Sequence, residues 1–339
     1  MKKNKICVIF TGGTIGSSIT DNCVDLDGRS ASRLINGYTS KYGDAIHFDD
    51  LKPLNILSEN VQTEDLYKMA DCVRSIDYDA YDGIIFTHGT DTLSFTANYF
   101  SQIFADLPLP LVMVSALYPL SDERSNGDDN FASAVSFIMQ TDCHGVFVSF
   151  RNPDGESKLH LASRLTEARQ ISGKFSSLMD AHFGTVKEGR FIHNDDKRNP
   201  TLSEIKNYSG EHSDGRLCND VVVINARALL DFTFYRFDEI KPKAVIIGLY
   251  HSGTVCTVGD DTNFLDFLEY CNGIGVPVVL SPIDSKANVY ASVKNINGKC
   301  IFSYDQSYEM TIVKVMLALG SDRDIYEVLS ENKFFEKIG

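Results

Sequence analysis

Two short runs in this chain carry the residue types of acyl-transfer chemistry. Thr11-Gly12-Gly13-Thr14-Ile15-Gly16 and His88-Gly89-Thr90-Asp91-Thr92 each set threonines in a glycine-rich turn directly after an apolar stretch. A threonine hydroxyl is a weak nucleophile until a neighbour takes its proton, and glycine-rich turns expose main-chain N–H groups able to hold an oxyanion. These parts suffice for attack on an acyl carbon without a metal. His88 is the tempting general base, although a histidine packed beside a strand end is more often a structural hydrogen-bonder. Taken singly, the glycines of the first run are also consistent with a chain that merely turns.

Other chemistries lack their residues. The first run approaches the dinucleotide fingerprint G-x-G-x-x-G, with Asp25 or Asp27 as the ribose acid, but Thr11 stands where the first glycine belongs. No Gly-Lys-Ser/Thr follows, which excludes a phosphate loop of the Walker type. There is no G-x-S-x-G elbow and no H-E-x-x-H, and the eight histidines do not pair at metal-ligand spacing, so neither cofactor nor metal is expected. Asp122-Glu123-Arg124-Ser125-Asn126-Gly127 is a faint calcium-loop match. It lacks an acid at the third position and has Ser133 where the bidentate glutamate belongs, so it reads as a solvated loop.

The elements that must position these turns are legible as alternating patterns. Ile6–Phe10, Gly83–Thr87, Leu111–Ser115 and Gly145–Phe150 are short apolar runs and read as buried strands. Between them, Thr63–Ile76 puts Leu66, Met69, Ala70, Val73 and Ile76 on one helical face, with Thr63, Glu64 and Asp65 marking its start. Leu93–Phe104 and Asn130–Met139 also carry the helical period. This order predicts an α/β fold with a mostly parallel sheet covered on both faces, which delivers both threonine turns to one carboxyl edge. The pattern fails from about Gly189 to Arg216, a polar stretch read as a linker. A second alternation follows: strands Val221–Ile224, Ala244–Leu249 and Val276–Ser281, a helix Asn263–Cys271, and a helical end from Met310 to Leu329. The expected division is a larger domain over 1–190, a linker over 191–216 and a smaller α/β domain over 217–339.

Composition narrows the partners. The chain has 339 residues with 32 basic against 46 acidic side chains, a net charge of −14, which repels nucleic-acid phosphates and anionic lipid alike. The apolar stretch at Ile6–Phe10 is too short for a secretory signal, and the run Leu107–Leu117 is broken by Pro108 and Pro110 and too short for a membrane span. Eight cysteines at irregular spacings fit reduced thiols, so a soluble cytoplasmic protein is expected.

The two turns, TGGTIG and HGTDT in this order, resemble the two signature motifs of the bacterial-type L-asparaginase/glutaminase family. The resemblance continues through VMVSALYPLSDERSNGDDNFASAV (Val112–Val135) and thins beyond about residue 190. It implies a two-domain α/β amidohydrolase that cleaves the side-chain amide of asparagine or glutamine through an acyl-enzyme, with each site completed by a neighbouring subunit in a homodimer or homotetramer. Carried over by position, the resemblance makes Thr14 the nucleophile and Thr90 the threonine that helps activate it or the attacking water. Asp91 becomes a partner of the family's lysine and of the substrate ammonium. Ser58 and Glu59 fall at the α-carboxylate and α-ammonium contacts, and the carbonyl of Ala116 at the amide. On the residues alone, Ser58 and Glu59 also read as a polar loop before a helix.

Two departures stand out. The family's lysine lies in a stretch of the form R-x-T-K, and the matching residues here are Arg164-Leu165-Thr166-Glu167, with Arg169 and Lys174 as alternative cations nearby. Glu167 facing Asp91 at about 4 Å would cost on the order of 4 kcal/mol at an effective dielectric near 20, so one carboxyl would take up a proton or a cationic ligand would be favoured. The family's mobile loop also carries a tyrosine, whereas Ser17–Ser32 has none and the nearest is Tyr38. The leading expectation is an asparaginase-type amidohydrolase. The alternative is a weakly active or inactive relative that binds an amino-acid-like ligand, and a dinucleotide enzyme stands third.

Overall fold

The computed structural model describes residues 2–13, 15, 17–20, 23–26, 30–153, 155–211, 213–287, 290, 296 and 298–338, with the backbone alone at 17–20, 23–26 and 30–32. The chain divides into two compact units, Met1–Ser213 with Lys333–Phe335, and Asp214–Asn332 with Glu336–Gly339.

In the first unit the elements run β1 (Lys5–Ile9), β2 (Ser17–Thr20), β3 (Cys23–Leu26), α1 (Ser30–Tyr42), β4 (His47–Leu51), α2 (Thr63–Arg74), β5 (Gly83–Thr87), α3 (Leu93–Ile103), β6 (Pro110–Val114), α4 (Gly127–Gln140), β7 (Gly145–Arg151), β8 (Ser157–Leu161), β9 (Gly184–Lys187), β10 (Arg190–His193) and α5 (Leu202–Lys206). Strands β4, β1, β5, β6 and β7 lie side by side and parallel, and β8, β9 and β10 continue the sheet antiparallel. The four parallel strands expected from sequence are β1, β5, β6 and β7, shifted by a residue at some ends, because runs such as GIIFT and PLVMV are buried on both faces and have no polar alternation to keep; β4 is an addition to them.

Helix α2 buries Leu66, Met69, Ala70 and Val73 as the 3.6-residue period requires, and the Asp65 carboxylate accepts from Gln62 N at 3.2 Å to close its first turn. Helix α3 is buried on nearly every side, and two of its polar residues bond within the helix: Asn98 Nδ2 donates to Ser94 O at 2.7 Å and Ser101 Oγ to Asn98 O at 2.7 Å. Helix α4 starts three residues before the expected Asn130, at Gly127. Tyr38, the nearest tyrosine to the glycine turn, belongs to α1, where its ring packs edge-on against Phe48 and Phe131. Its role is packing.

The polar stretch 191–216 differs from a bare linker. It contains most of β10, which pairs with β9, and α5, whose Ile205 is fully buried in the core of the first unit. Short mixed segments such as RFIH only half-bury their rings, Phe191 against Phe137 and Phe183 and His193 against Phe183, which is too little apolar content to register as a strand pattern. From the far end of the chain, Phe334 joins the same core, packing on Gly145 and Phe147.

The second unit runs β11 (Val221–Asn225), β12 (Ala244–Gly248), α6 (Phe264–Gly273), β13 (Val278–Ile283), β14 (Ile301–Tyr304), α7 (Tyr308–Gly320) and α8 (Ile325–Ser330). Its strands form a parallel sheet in chain order. The expected single helical end is two helices, because Asp324 accepts from Glu327 N at 3.0 Å and starts a new one. Lys314 and Glu336, both fully buried, pair at 2.5 Å, with Lys314 Nζ also donating to Glu331 O at 2.7 Å. Among the described residues no helix is long and apolar enough to cross a membrane, and the cysteines whose side chains are described are free thiols.

Candidate active site

The carboxyl ends of β1, β5 and β6 meet at one edge of the large sheet, where open α/β folds take ligands. At the first two ends a pair of threonines locks the strands together. Thr11 Oγ1 donates to Thr87 O at 2.7 Å, and Thr11 N donates to Thr87 Oγ1 at 3.3 Å. The chain beyond β4 runs alongside the first turn: Ile56 N donates to Thr11 O at 3.0 Å and Gly13 N to Ile56 O at 2.9 Å.

The two glycine turns touch backbone to backbone. A methyl group on Gly13 would lie 2.4 Å from Gly89 N and 2.5 Å from Gly89 Cα, and Gly13 adopts a φ of +74° that side chains disfavour. Glycine is required here for closeness and for conformation. On the other side of Gly89 sits Ser58, 4% exposed, whose Oγ accepts from Asp91 N at 3.3 Å. Thr92 Oγ1 donates to Ser58 O at 3.0 Å, so the second turn is pinned to the short helical turn Ser58–Asn60 by both serine oxygens. Ala116, two residues past β6, is fully buried, and a methyl on Gly127 would meet Ala116 Cβ at 3.2 Å and Ile15 Cγ1 at 3.4 Å. The structure thus brings Gly13, Ile15, Ser58, Gly89 to Thr92, and Ala116 into one neighbourhood.

Thr14 and Asp27 lie outside the described residues, as does the side chain of Asp25. Thr90 is half-buried, while Asp91 and Glu59 are exposed at the rim. His88 is fully buried, and its Nδ1–H donates to Gly89 O at 2.8 Å, which fixes the neutral tautomer. Its Nε2 has no partner among the described residues, and burial pushes the imidazole down to about 4. A base of that strength, locked to the turn, supports the loop and is poorly suited to taking a proton at neutral pH.

Glu167 is exposed, on a segment that is fixed residue by residue. Ser163 Oγ donates to Phe334 O at 2.7 Å, Arg164 Nη1 to Arg198 O at 2.8 Å, and Asn98 Nδ2 on α3 to Leu165 O at 2.9 Å. Thr166 N then donates to Ser176 O at 2.9 Å, and Arg169 N to Lys174 O at 2.9 Å, forming an antiparallel arm. Arg169 is exposed and Lys174 half-buried. In the second unit, the turn His251–Thr254 after β12 is closed by Gly253 N donating to Tyr250 O at 2.8 Å.

Several contributors were not singled out from sequence. Thr87, Asn98, Asn126 and Asn130 carry the hydrogen bonds that hold strand ends and loops together; Thr87, Asn98 and Asn130 sit in ordinary strand or helix patterns, and Asn126 in the loop read as solvated. The only signal available for the last two was their spacing of four residues, which sets Asn126, just before α4, one turn ahead of Asn130 within it.

The chain matches the family model described as Asparaginase, N-terminal, over residues 5–198. It is 25% identical to an L-asparaginase of Thermococcus kodakarensis over 331 residues, 96% of this chain and 95% of that protein. It is 24% identical to a glutaminase-asparaginase of Acinetobacter glutaminasificans over 348 residues, 98% of this chain and 99% of that protein. The solved structure of the thermostable L-asparaginase from Thermococcus kodakarensis superposes with a TM-score of 0.81 at 25% identity, covering 99% of each chain.

Proposed function

The chain belongs to the asparaginase family of amidohydrolases, and from that premise we propose that it hydrolyses the side-chain amide of asparagine or a related small amide to the acid and ammonia. The observation that carries this reading is the contact of Gly13 with Gly89, which joins the turn ending in Thr14 to the turn that continues into Thr90 and Asp91. In this reading Thr14 Oγ attacks the amide carbon, the C–N bond breaks with ammonia leaving, and water then cleaves the threonyl ester to regenerate the hydroxyl. Thr90 takes part in activating Thr14 or the water, and Asp91 holds the substrate ammonium. Main-chain N–H groups of the glycine turns serve the oxyanion.

Ser58 and Glu59 are assigned to the substrate α-carboxylate and α-ammonium. Ser58 is well placed for this, being wedged against Gly89 with its Oγ beside Asp91 N. The carbonyl of Ala116 accepts from the substrate amide. No cofactor enters this chemistry. A homodimer or homotetramer, with the turn His251–Thr254 and the helical end of the second unit as candidate contributions to a neighbour's site, and a cytoplasmic location complete the proposal.

A second reading rests on Glu167, which stands where the resemblance places a lysine. With a carboxylate in that place, asparagine turnover is slow and the protein favours a more cationic ligand, or binds an amino-acid-like ligand without turnover. One experiment separates the readings: ammonia release and thermal shift measured on the same panel of amides. Ammonia from asparagine, glutamine or a close analogue supports the hydrolase, and stabilisation without ammonia supports the binder. Neither response to any amide contradicts both.

A further inference from the structure

Two asparagines one turn apart, Asn126 just before α4 and Asn130 within it, are 3% and 0% exposed. Their amides bridge the ends of β6 and β7 in a crossed pattern. Asn126 Oδ1 accepts from Leu117 N at 2.9 Å and its Nδ2 donates to Arg151 O at 2.8 Å. Asn130 Nδ2 donates to Ser115 O at 2.8 Å and its Oδ1 accepts from Arg151 N at 2.7 Å. Each partner is a main-chain group of fixed polarity, so the orientation of both amides is determined by the bonds they make.

The consequence falls on Ala116. Ser115 C=O belongs to the peptide plane that enters Ala116, and Leu117 N–H belongs to the plane that leaves it and carries the Ala116 carbonyl. Both planes are therefore gripped. In a trans peptide the C=O points opposite to the N–H, so the bond from Leu117 N to Asn126 turns the Ala116 carbonyl away from Asn126. That carbonyl belongs to a residue with no exposed surface, yet among the described residues it accepts no hydrogen bond. Buried main-chain acceptors in that state are uncommon.

We infer that Asn126 and Asn130 are positioning residues for amide hydrolysis: by holding the two peptide planes around Ala116 they aim its carbonyl at the substrate –NH2, so that the acceptor follows the nitrogen as it leaves as ammonia. This rests on the amidohydrolase reading of the site. The two residues act through Ala116 and do not touch the reacting atoms.

The crossed pattern makes a test with an internal control. Asn126→Asp keeps the acceptor for Leu117 N, on the site side, and loses the donor to Arg151 O. Asn130→Asp keeps the acceptor for Arg151 N and loses the donor to Ser115 O, on the site side. Both variants introduce the same charge on the same face. For hydrolysis of L-asparagine, Asn130→Asp is expected to lower kcat about 10²-fold, the size of effect that a misplacement near 1 Å produces, with KM changed little, whereas Asn126→Asp stays within a few-fold of wild type. Asn126→Leu, which loses both bonds, should match Asn130→Asp in kcat. Thr141→Ala, which removes a bond to Phe137 O at the far end of α4, is the stability control and should lower the melting temperature without changing kcat. Equal kcat in Asn126→Asp and Asn130→Asp, or losses that track melting temperature alone, overturns the positioning role while leaving the hydrolase standing. Wild-type protein that releases no ammonia from any amide overturns the hydrolase reading and this inference with it.

Discussion

Placing a methyl group at each of the two touching glycines should give opposite answers to one rescue experiment. At Gly89 the added carbon would lie 2.4 Å from Ser58 Oγ and 2.6 Å from Ser58 Cβ, with the next neighbour, Gly13 Cα, at 3.3 Å. The shortfall from ordinary contact is about 1 Å and is borne by a side chain, an overpacking expected to cost about 1–3 kcal/mol. At Gly13 the added carbon meets Gly89 N and Cα at 2.4 and 2.5 Å, which are backbone atoms, and the left-handed φ of +74° adds roughly 1–2 kcal/mol. The expected losses are therefore about 1–3 kcal/mol for Gly89→Ala and about 2–5 kcal/mol for Gly13→Ala.

Ser58→Gly deletes the atoms that Gly89→Ala strikes. In a double-mutant cycle read by denaturant unfolding, most of the Gly89→Ala loss should vanish in the Ser58→Gly background, while the Gly13→Ala loss should persist there. Ammonia release should fail to recover alongside stability, because Ser58 itself is assigned to the substrate carboxylate, and KM should stay raised. A Gly89→Ala cost that is the same with and without Ser58 would falsify the packing of the two turns around that serine.

Three further outcomes are expected. Glu167→Lys should raise asparagine hydrolysis by about 10²–10⁴-fold, the usual worth of an activating group; no change in ammonia release would place Glu167 away from the chemistry, and wild-type turnover already at roughly 1–10³ s⁻¹ would show that another group supplies the charge. His88 and His160 are buried and pushed down to about 4 and about 3 from an ordinary 6.5, so between those values and 6.5 the unfolded chain is protonated and the folded one is not. Stability should then fall as pH drops below about 6.5, by about 1.4 kcal/mol per pH unit for each histidine, and His160→Asn should reduce the slope between pH 6 and 4.5 by about one proton's worth; an unchanged slope refutes the assignment. Sedimentation at micromolar concentration should show a dimer or tetramer, and a monomer would remove the neighbour's contribution from the proposal.

Much of the first unit's geometry is legible because its parallel strands are too apolar to be anything else. KICVI, GIIFT, PLVMV and GVFVSFR are buried almost throughout, and the chemistry-bearing turns sit where such strands end. Less legible are the elements whose burial is one-sided or borrowed. HFDDL is a half-exposed edge strand, and RFIH pairs at the opposite edge with Phe191 and His193 only half-buried, so neither shows a continuous apolar run. Phe334 reaches the first unit's core from more than a hundred residues beyond Ser213, where that unit's main run of chain ends, a contact that no local pattern can encode. The same limit governs the site. Glycines, threonines and acids in a turn announce chemistry by type. Asn126 reads as a solvated loop residue and Asn130 as an ordinary helix start until Ser115, Leu117 and Arg151 are seen bound to them.

The central claim, that Thr14 forms an ester with the substrate acyl group, is tested most directly by acid-quenching the enzyme during turnover of asparagine and mapping the acyl group by peptide mass spectrometry. The expected result is an aspartyl ester on the peptide containing Thr14 in the wild-type protein, with neither ester nor ammonia release in Thr14→Ala, whose fold is intact by denaturation. Ammonia release that continues unchanged in Thr14→Ala, or an ester mapped to a different residue, would contradict it.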